Sequence, residues 1–423
     1  MFTEEQIPEL LEQLTLEEKC SLLSGSDFWH TQPIERLGIP ALMIADGPHG
    51  LRKQAENADA MGLEESVPAT CFPTAAALAS TWDTALLTEI GQTLAEEAKA
   101  QGVGVILGPG VNLKRSPLCG RNFEYFSEDP LLAGELAAAL VAGIQSGEVG
   151  TSVKHFAANN QETDRMRINA RIDERTLREM YLSTFERIIE RARPATLMCS
   201  YNRVNDVYSS ENHWLLTEVP REEWGFDGLV MTDWGAVHDR VAGVAAGLDL
   251  EMPSSRGWND RLVAEAVRTG VLDESDLDRA VARVLRLVSR HHRETPEEHL
   301  DTGAHHELAR EAASRSAVLL KNEGAALPLR RLGDVVVIGE MARTPRYQGA
   351  GSSQVNPTRL DNALDALRHR HPGLPFEPGY PLPDSPAAAF PTGELLRRAQ
   401  EAAADRTVLL FLGLPAADES EGY

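Results

Sequence analysis

"GLVMTDWGAVHD", residues 228–239, is an apolar run that stops on a carboxylate. Gly228, Leu229, Val230 and Met231 read as a short buried strand; Thr232, Asp233 and Trp234 follow, and Gly235 turns the chain. The same pattern recurs in "ALMIAD" (41–46), "VGVILGPG" (103–110), "TSVKHF" (151–156), "ATLMCSY" (195–201) and "GLDLEMP" (247–253). Between these runs lie amphipathic stretches such as "TALLTEIGQTLAEEAKAQG" (84–102) and "DERTLREMYLSTFERIIER" (173–191). Strands alternating with helices predict βαβ units and a parallel sheet. Their number and span predict an α/β fold, a TIM-like (β/α)8 barrel over residues 1–290. A doubly wound sheet would want a Gly-x-Gly-x-x-Gly turn after its first strand, and "MIADGPHGLRK" (43–53) is not one.

Beyond the barrel, "HHRETPEEHLDTGAHHE" (291–307) lacks a sustained apolar face and reads as a linker. Its histidines form no His-Glu-x-x-His motif, so no metal site is expected there. Residues 308–423 read as an α/β sandwich domain. "DVVVIGE" (334–340) and "RTVLLFLGL" (406–414) predict central parallel strands covered on both faces, with "LLRRAQEAAA" (395–404) as a helix before the second. The sandwich reads as incomplete, truncated at its C-terminal side.

A chain of 423 residues is long enough for two domains. With 41 basic and 64 acidic residues the net charge is −23. That field disfavours nucleic acid and anionic membrane as partners and favours neutral or cationic small substrates. Cys20, Cys71, Cys119 and Cys199 lie far apart, which argues against a zinc site or a disulfide framework. The acidic, amphipathic start is not a secretory signal and no run is long enough to span a membrane, so the expected location is cytoplasmic.

In a parallel α/β barrel the loops after the strand ends build the site. Here those ends carry Asp46 with Arg52, Arg121 and Glu124, Lys154 and His155, Met198 and Tyr201, Asp233 and Trp234, and Glu251. Carboxylates set beside Arg, Lys and His can grip vicinal hydroxyls through charge-assisted hydrogen bonds. A Trp or Tyr offers a platform for the C–H face of a sugar ring. The set points to a carbohydrate site, catalytic or merely binding. Asp233 taken alone could equally be a helix N-cap.

"GRNFEYFSEDP" (120–130), "KHFAANNQETDR" (154–165), "TDWGAVHD" (232–239), "SAVLLKNEGAALPL" (316–329) and "ESEGY" (419–423) together resemble glycoside hydrolase family 3, the β-glucosidase type, from about residue 15 onward. The resemblance implies Asp233 as catalytic nucleophile. It implies Asp46, Arg52, Arg121, Lys154, His155, Arg165, Met198, Tyr201 and Trp234 around the terminal sugar, and Ser352, from "GAGSSQV" (349–355), as a second-domain contact. Its acid/base falls on Glu421 or Glu419, with Glu421 favoured because it directly precedes Gly422. The implied activity is retaining, exo-acting hydrolysis of terminal non-reducing β-D-glucosyl residues by double displacement, with no metal or organic cofactor. A β-xylosidase or other exo-glycosidase of the family, and a non-catalytic sugar-binding protein on the same fold, are the alternatives. The family's β-N-acetylglucosaminidase type is disfavoured, since its "KHFPGHGDT" pattern is absent at residue 154. Small-molecule or oligosaccharide β-glycosides are the expected partners. Family members continue beyond "ESEGY", so a missing C-terminal segment or a second chain is expected to be needed for full activity.

Overall fold

The computed structural model describes residues 2–54, 66–293, 300–329, 333–383 and 385–422. Five buried strands form one parallel sheet: β1 (Ile44–Asp46), β2 (Val105–Leu107), β3 (Gly150–Phe156), β4 (Thr196–Cys199) and β5 (Leu229–Thr232). They stand in sequence order. Strands apolar on both faces suit a sheet covered on both sides. Ala45, Ile106, Val153, Leu197 and Val230 pack into one core with α1 (Thr84–Ala100), α2 (Pro130–Ser146) and α3 (Ser183–Ala192). Their sequence neighbours Ile44, Val105, Leu107, Met198, Leu229 and Met231 belong to a second core. That alternation is the period of two of a strand.

Local chemistry sets the helix boundaries. Asp83 caps α1 by accepting from Leu86 N, and Asp129 caps α2 by accepting from Leu131 N and Leu132 N, with Pro130 in the first turn. α1 and α2 touch through backbone: a Cβ on Gly143 would lie 2.2 Å from Thr88 O.

The ring closes by shorter pairings. Leu250 bridges Met231 in parallel, Glu251 bridges Ser24 in parallel, Gly25 pairs with Thr31, and His30 returns antiparallel to Met43 beside β1. The domain is a TIM-like barrel, but among the described residues it does not present eight regular strands. "GLDLEMP" (247–253), expected as a full strand, makes only these two isolated bridges among the described residues, Leu250 to Met231 and Glu251 to Ser24. Asp249 is diverted to Arg221, Arg283 and Val230 N, and Pro253 has no N–H to extend the ladder.

In the second domain β6 (Val335–Ile338) lies between β7 (Phe376–Glu377) and β8 (Thr407–Leu410), all parallel. Leu364 from α8 (Ala363–Arg370) joins the core on one face of β6, and Ala399 from α9 (Thr392–Ala403) that on the other. β6 is central and buried as expected. β8 is not: Leu410 is 58% exposed, and Leu412 and Leu414 beyond it are also exposed. Among the described residues its only strand neighbour is β6.

The linker expectation is corrected for residues 302–307, while 294–299 lie outside the described residues. A helix, α7 (Thr302–Arg315), starts there, capped by Asp301. Its histidines clamp the domains. His305 Nδ1 meets Glu97 of α1 at 2.9 Å and Nε2 meets Glu96 at 3.2 Å; His306 Nε2 meets Asp361 of the second domain at 2.9 Å. Asn356–Pro357 pairs with Pro68–Ala69 across the same boundary.

The hydrogen bond that Glu97 accepts, with Glu96 behind it, raises the His305 imidazolium above its ordinary value. A raised folded-state value gives stability that is fully present below the unfolded value of about 6.5 and lost as pH rises through the folded one. His305→Gln is therefore expected to lower the melting temperature at pH 6 and to leave it nearly unchanged at pH 9. An equal loss at both pH values, measured by calorimetry, would reduce the contact to an uncharged hydrogen bond.

Candidate active site

A cavity of about 420 Å³ opens at the C-terminal ends of β1–β5. Asp46 closes β1, Lys154 and His155 lie near the end of β3, Met198 lies in β4 with Tyr201 just beyond it, and Asp233 and Trp234 follow β5 directly. These residues line the cavity together with Arg52, Arg121 and, from the second domain, Ser352 and Glu421. Of the residues singled out in the sequence, Arg165 stands one contact back, and Glu124 and Glu251 are absent from the lining. Glu124 holds Arg121 from behind, and Glu251 takes Asn259 at 2.6 Å. Glu419 lines a different cavity, of about 550 Å³, where Arg346 reaches it at 3.5 Å.

Asp46 Oδ1 accepts from Lys154 Nζ at 2.9 Å with both side chains buried. Burial raises the Asp46 carboxyl, and Lys154 opposes that rise. His155 Nε2 lies 3.5 Å from Asp233 Oδ2. Burial, aided by Arg121, Lys154 and Arg165, holds His155 well below its ordinary value, so it is a neutral imidazole. Asp233 Oδ1 accepts from Trp234 N at 2.8 Å. Burial pushes the Asp233 carboxyl up, while Arg121, Arg165 and Lys154 pull it back towards the anion.

Glu421 is placed by the opposite balance. Burial would raise its carboxyl, but Arg121, Arg165 and Ser352 hold it well below the usual carboxylate range. Oε2 accepts from Arg165 Nη2 at 2.9 Å; Oε1 accepts from Ser352 N at 2.9 Å and from Ser352 Oγ. Arg52 fixes the loop by donating to Ser352 O at 2.7 Å. Gly351, at φ +95°, has to be glycine: a Cβ there would lie 3.0 Å from Glu421 Cγ.

Besides Leu107 and Gly351, three lining side chains escaped the sequence reading. Phe28 and Trp29 join Trp234 in an aromatic wall, with ring centroids 5.0 Å apart for Phe28–Trp29 and 5.4 Å for Trp29–Trp234. Trp234 Nε1 donates to Phe28 O at 2.9 Å, which locks the wall. "SDFWH" (26–30) was the available signal, two adjacent aromatics in a polar loop. Gln354 is the third, two residues beyond Ser352. Chemically, the cavity offers two carboxylates of opposed proton affinity, a charged grip for hydroxyls and an apolar wall.

The family profile described as "Glycosyl hydrolase family 3 N terminal domain" matches residues 26–287, and "Glycosyl hydrolase family 3 C-terminal domain" matches residues 317–423. The chain belongs to glycoside hydrolase family 3. It is 51% identical over 422 residues to the thermostable beta-glucosidase B of Acetivibrio thermocellus, covering 99% of this chain and 55% of that protein. It is 52% identical over 425 residues to the exo-alpha-(1->6)-L-arabinopyranosidase of Bifidobacterium longum, covering 98% and 56%. The family 3 beta-glucosidase of Bifidobacterium adolescentis superposes with a TM-score of 0.89 at 51% identity, covering 98% of this chain and 59% of that one. Beta-glucosidase 3B of Thermotoga neapolitana, in complex with alpha-D-glucose, superposes with a TM-score of 0.86 at 34% identity, covering 99% and 63%. This family 3 chain thus spans about half the length of the curated relatives it matches.

The Asp46–Lys154 pair is the charged floor of the site. Removing one partner of a buried pair costs about 3–5 kcal/mol, because the other charge is left uncompensated. Lys154→Met is expected to lose that much in urea unfolding, and Asp46→Asn/Lys154→Met to recover most of it. A double variant no more stable than Lys154→Met would mean the two charges are not coupled.

Proposed function

We propose that this chain carries the catalytic centre of a retaining, exo-acting β-glycosidase that removes terminal non-reducing β-D-glucosyl residues. The observation that carries the reading is the meeting in one cavity of Asp233 from the barrel and Glu421 from the second domain. Asp233 attacks the anomeric carbon while Glu421 protonates the departing glycosidic oxygen, which leaves a glycosyl ester on Asp233. Glu421 then takes a proton from water, whose oxygen attacks the anomeric carbon and releases Asp233. Retaining enzymes hold such carboxyls about 5–5.5 Å apart. The two carboxylates supply nucleophile and proton, so the steps call on no metal or organic cofactor.

Electrostatics supports the switch between the steps. Asp46, Asp233 and Glu421 share the cavity, and Glu421 raises the other two by like charge. By the same interaction an ionised Asp233 raises Glu421, opposing the lowering by Arg121, Arg165 and Ser352 that prevails in the free site. Once Asp233 is an ester that charge is gone, and Arg121 and Arg165 make Glu421 the anion needed as base. Asp46, Lys154 and His155 grip the sugar hydroxyls in this reading, and Trp234 with Trp29 and Phe28 bounds the outer side.

A second reading, another exo-glycosidase of the family, is favoured by the two relatives described as exo-alpha-(1->6)-L-arabinopyranosidases, at 52% and 51% identity. A panel of nitrophenyl glycosides separates the readings: β-D-glucoside is expected to be cleaved with higher kcat/KM than α-L-arabinopyranoside or β-D-xyloside. Full turnover is expected when the exposed apolar face of β8 is covered, because Glu421 lies on the segment that follows it. Joining the chain to the region beyond the matched part of the A. thermocellus relative should raise kcat.

Asp233→Asn is expected to remove hydrolysis by several orders of magnitude while keeping the fold, since no covalent intermediate can form. A 2-deoxy-2-fluoroglucoside should label the native chain on Asp233, as read by peptide mass. Absence of any label would favour a sugar-binding protein. Glu421→Ala should retain glycosylation by dinitrophenyl glucoside, accumulate the intermediate, and be rescued by azide as the β-glycosyl azide. Rescue of Glu419→Ala in its place would reverse that assignment.

A further inference from the structure

Glu162, in "NNQETDR" (159–165), is fully buried, and neither the sequence reading nor the steps above use it. Its Oε1 accepts from Asn159 Nδ2 at 3.1 Å and lies 4.0 Å from Arg121 Nη1. Its Oε2 accepts from Arg165 Nη1 at 3.0 Å and from the backbone N–H of Gly422 at 3.0 Å. Two of these partners belong to Glu421. Gly422 is the next residue in the chain, and the other terminal nitrogen of Arg165 donates to Glu421 itself at 2.9 Å. Arg165 is kept in place by stacking on Tyr201, 4.7 Å from the ring centroid. One guanidinium is therefore shared by a barrel carboxylate and a second-domain carboxylate. The barrel carboxylate also holds the peptide that carries the second one.

We propose that Glu162 is the positioning residue of the acid/base: it anchors the Glu421 loop through the Gly422 N–H and shares Arg165 with Glu421. The inference rests on the reading of Glu421 as acid/base. Groups facing Glu421 are Arg121 and Arg165 from the barrel loops, Ser352 from its own domain, and Asp46, Asp233 and Tyr201 across the cavity. Those facing Glu162 are Arg121, Arg165, Tyr125 and Cys119.

Glu162→Gln separates the two functions. An amide oxygen at the Oε2 position still accepts from Gly422. The new NH2 can meet Asn159 Oδ1, which is buried without a partner, once that amide turns over. The negative charge is gone, so Glu421 is the one carboxylate left in hydrogen-bond contact with Arg165, which favours its anion more strongly. Protonating the leaving oxygen then becomes harder, while the base step is unimpaired.

The test is kcat/KM for 2,4-dinitrophenyl, 4-nitrophenyl and phenyl β-glucosides, with pH profiles and melting curves, in the native chain, Glu162→Gln, Arg165→Gln and Glu421→Ala. Glu162→Gln is expected to lose about tenfold on the phenyl glucoside, a fraction of the full general-acid contribution. It should stay within about twofold on the dinitrophenyl glucoside, which needs no acid. The basic limb of its profile should move to lower pH, since a more strongly ionised acid is lost sooner. Arg165→Gln should move that limb to higher pH, and this opposite shift decides the matter should Glu162→Gln fail to fold. Equal losses on all three substrates, or an unmoved limb in both variants, would overturn the inference. If Glu421→Ala shows leaving-group dependence and Glu162→Gln does not, this inference alone falls. If Glu421→Ala shows none, the acid/base reading is lost and the inference falls with it.

Discussion

Arg121 is 1% exposed, yet it faces Glu124 from its own loop, Glu162 from the loop after β3, and Glu421 from the second domain. An isolated charge at that depth costs several kcal/mol, and only close partners in fixed geometry offset it. The surrounding loops are therefore constrained to deliver carboxylates to one point. Lys154 and Asp46 repeat the requirement a few residues away. Between them these cations allow Asp46, Asp233 and Glu421 to share one cavity in a chain whose overall charge is strongly negative. The cations pull both Asp233 and Glu421 towards the anion; at Asp233 burial outweighs them, and at Glu421 Arg121 and Arg165, with Ser352, outweigh burial. Carboxyls perturbed by burial and by specific charged partners inside a cleft mark a functional site.

The sequence was most legible where burial is two-sided. β1, β2, β4, β5 and β6 are largely apolar runs because both faces are covered, and a polar residue at the end of such a run must lie at a rim; β3, with Thr151, Ser152, Lys154 and His155, is buried but mixed. That logic reached Asp46, Lys154, His155, Asp233 and Trp234 before any fold was known. It could not reach Glu162, which sits in an irregular loop and accepts a hydrogen bond from a residue 260 positions away. Phe28 and Trp29 were hidden for a related reason: their loop follows no regular strand, and their partner Trp234 is brought to them by ring closure.

The misreadings at 302–307 and 406–410 come from the same limitation. His305 and His306 make the start of α7 look polar, and polarity in a sequence suggests solvent. In the fold those imidazoles are buried against Glu97 and Asp361, so their polarity is satisfied internally. In β8 the composition is that of a covered strand, while among the described residues one edge and much of its surface are uncovered. Composition reports what a segment is suited to contact. It cannot report whether the contacting element is present.

Placing the two carboxylates on different domains has a consequence for control. Asp233 is fixed by the barrel alone, through β5 and Trp234. Glu421 is fixed by tethers that each cross the boundary: the Asn356–Pro357 pairing with Pro68–Ala69, His306 on Asp361, Arg52 on Ser352, and Glu162 with Arg165 on residues 421 and 422. The first two set the angle of the domain and the last two set the position of the loop. A shift of about 1 Å at a reacting group can cost on the order of a hundredfold in rate. Under the proposed reading, a small loosening of the boundary would therefore spare the sugar grip, which is built from the barrel, and weaken proton transfer, which is not. In such a fold, binding and turnover are separable by mutation, and the interface between the domains is where they separate.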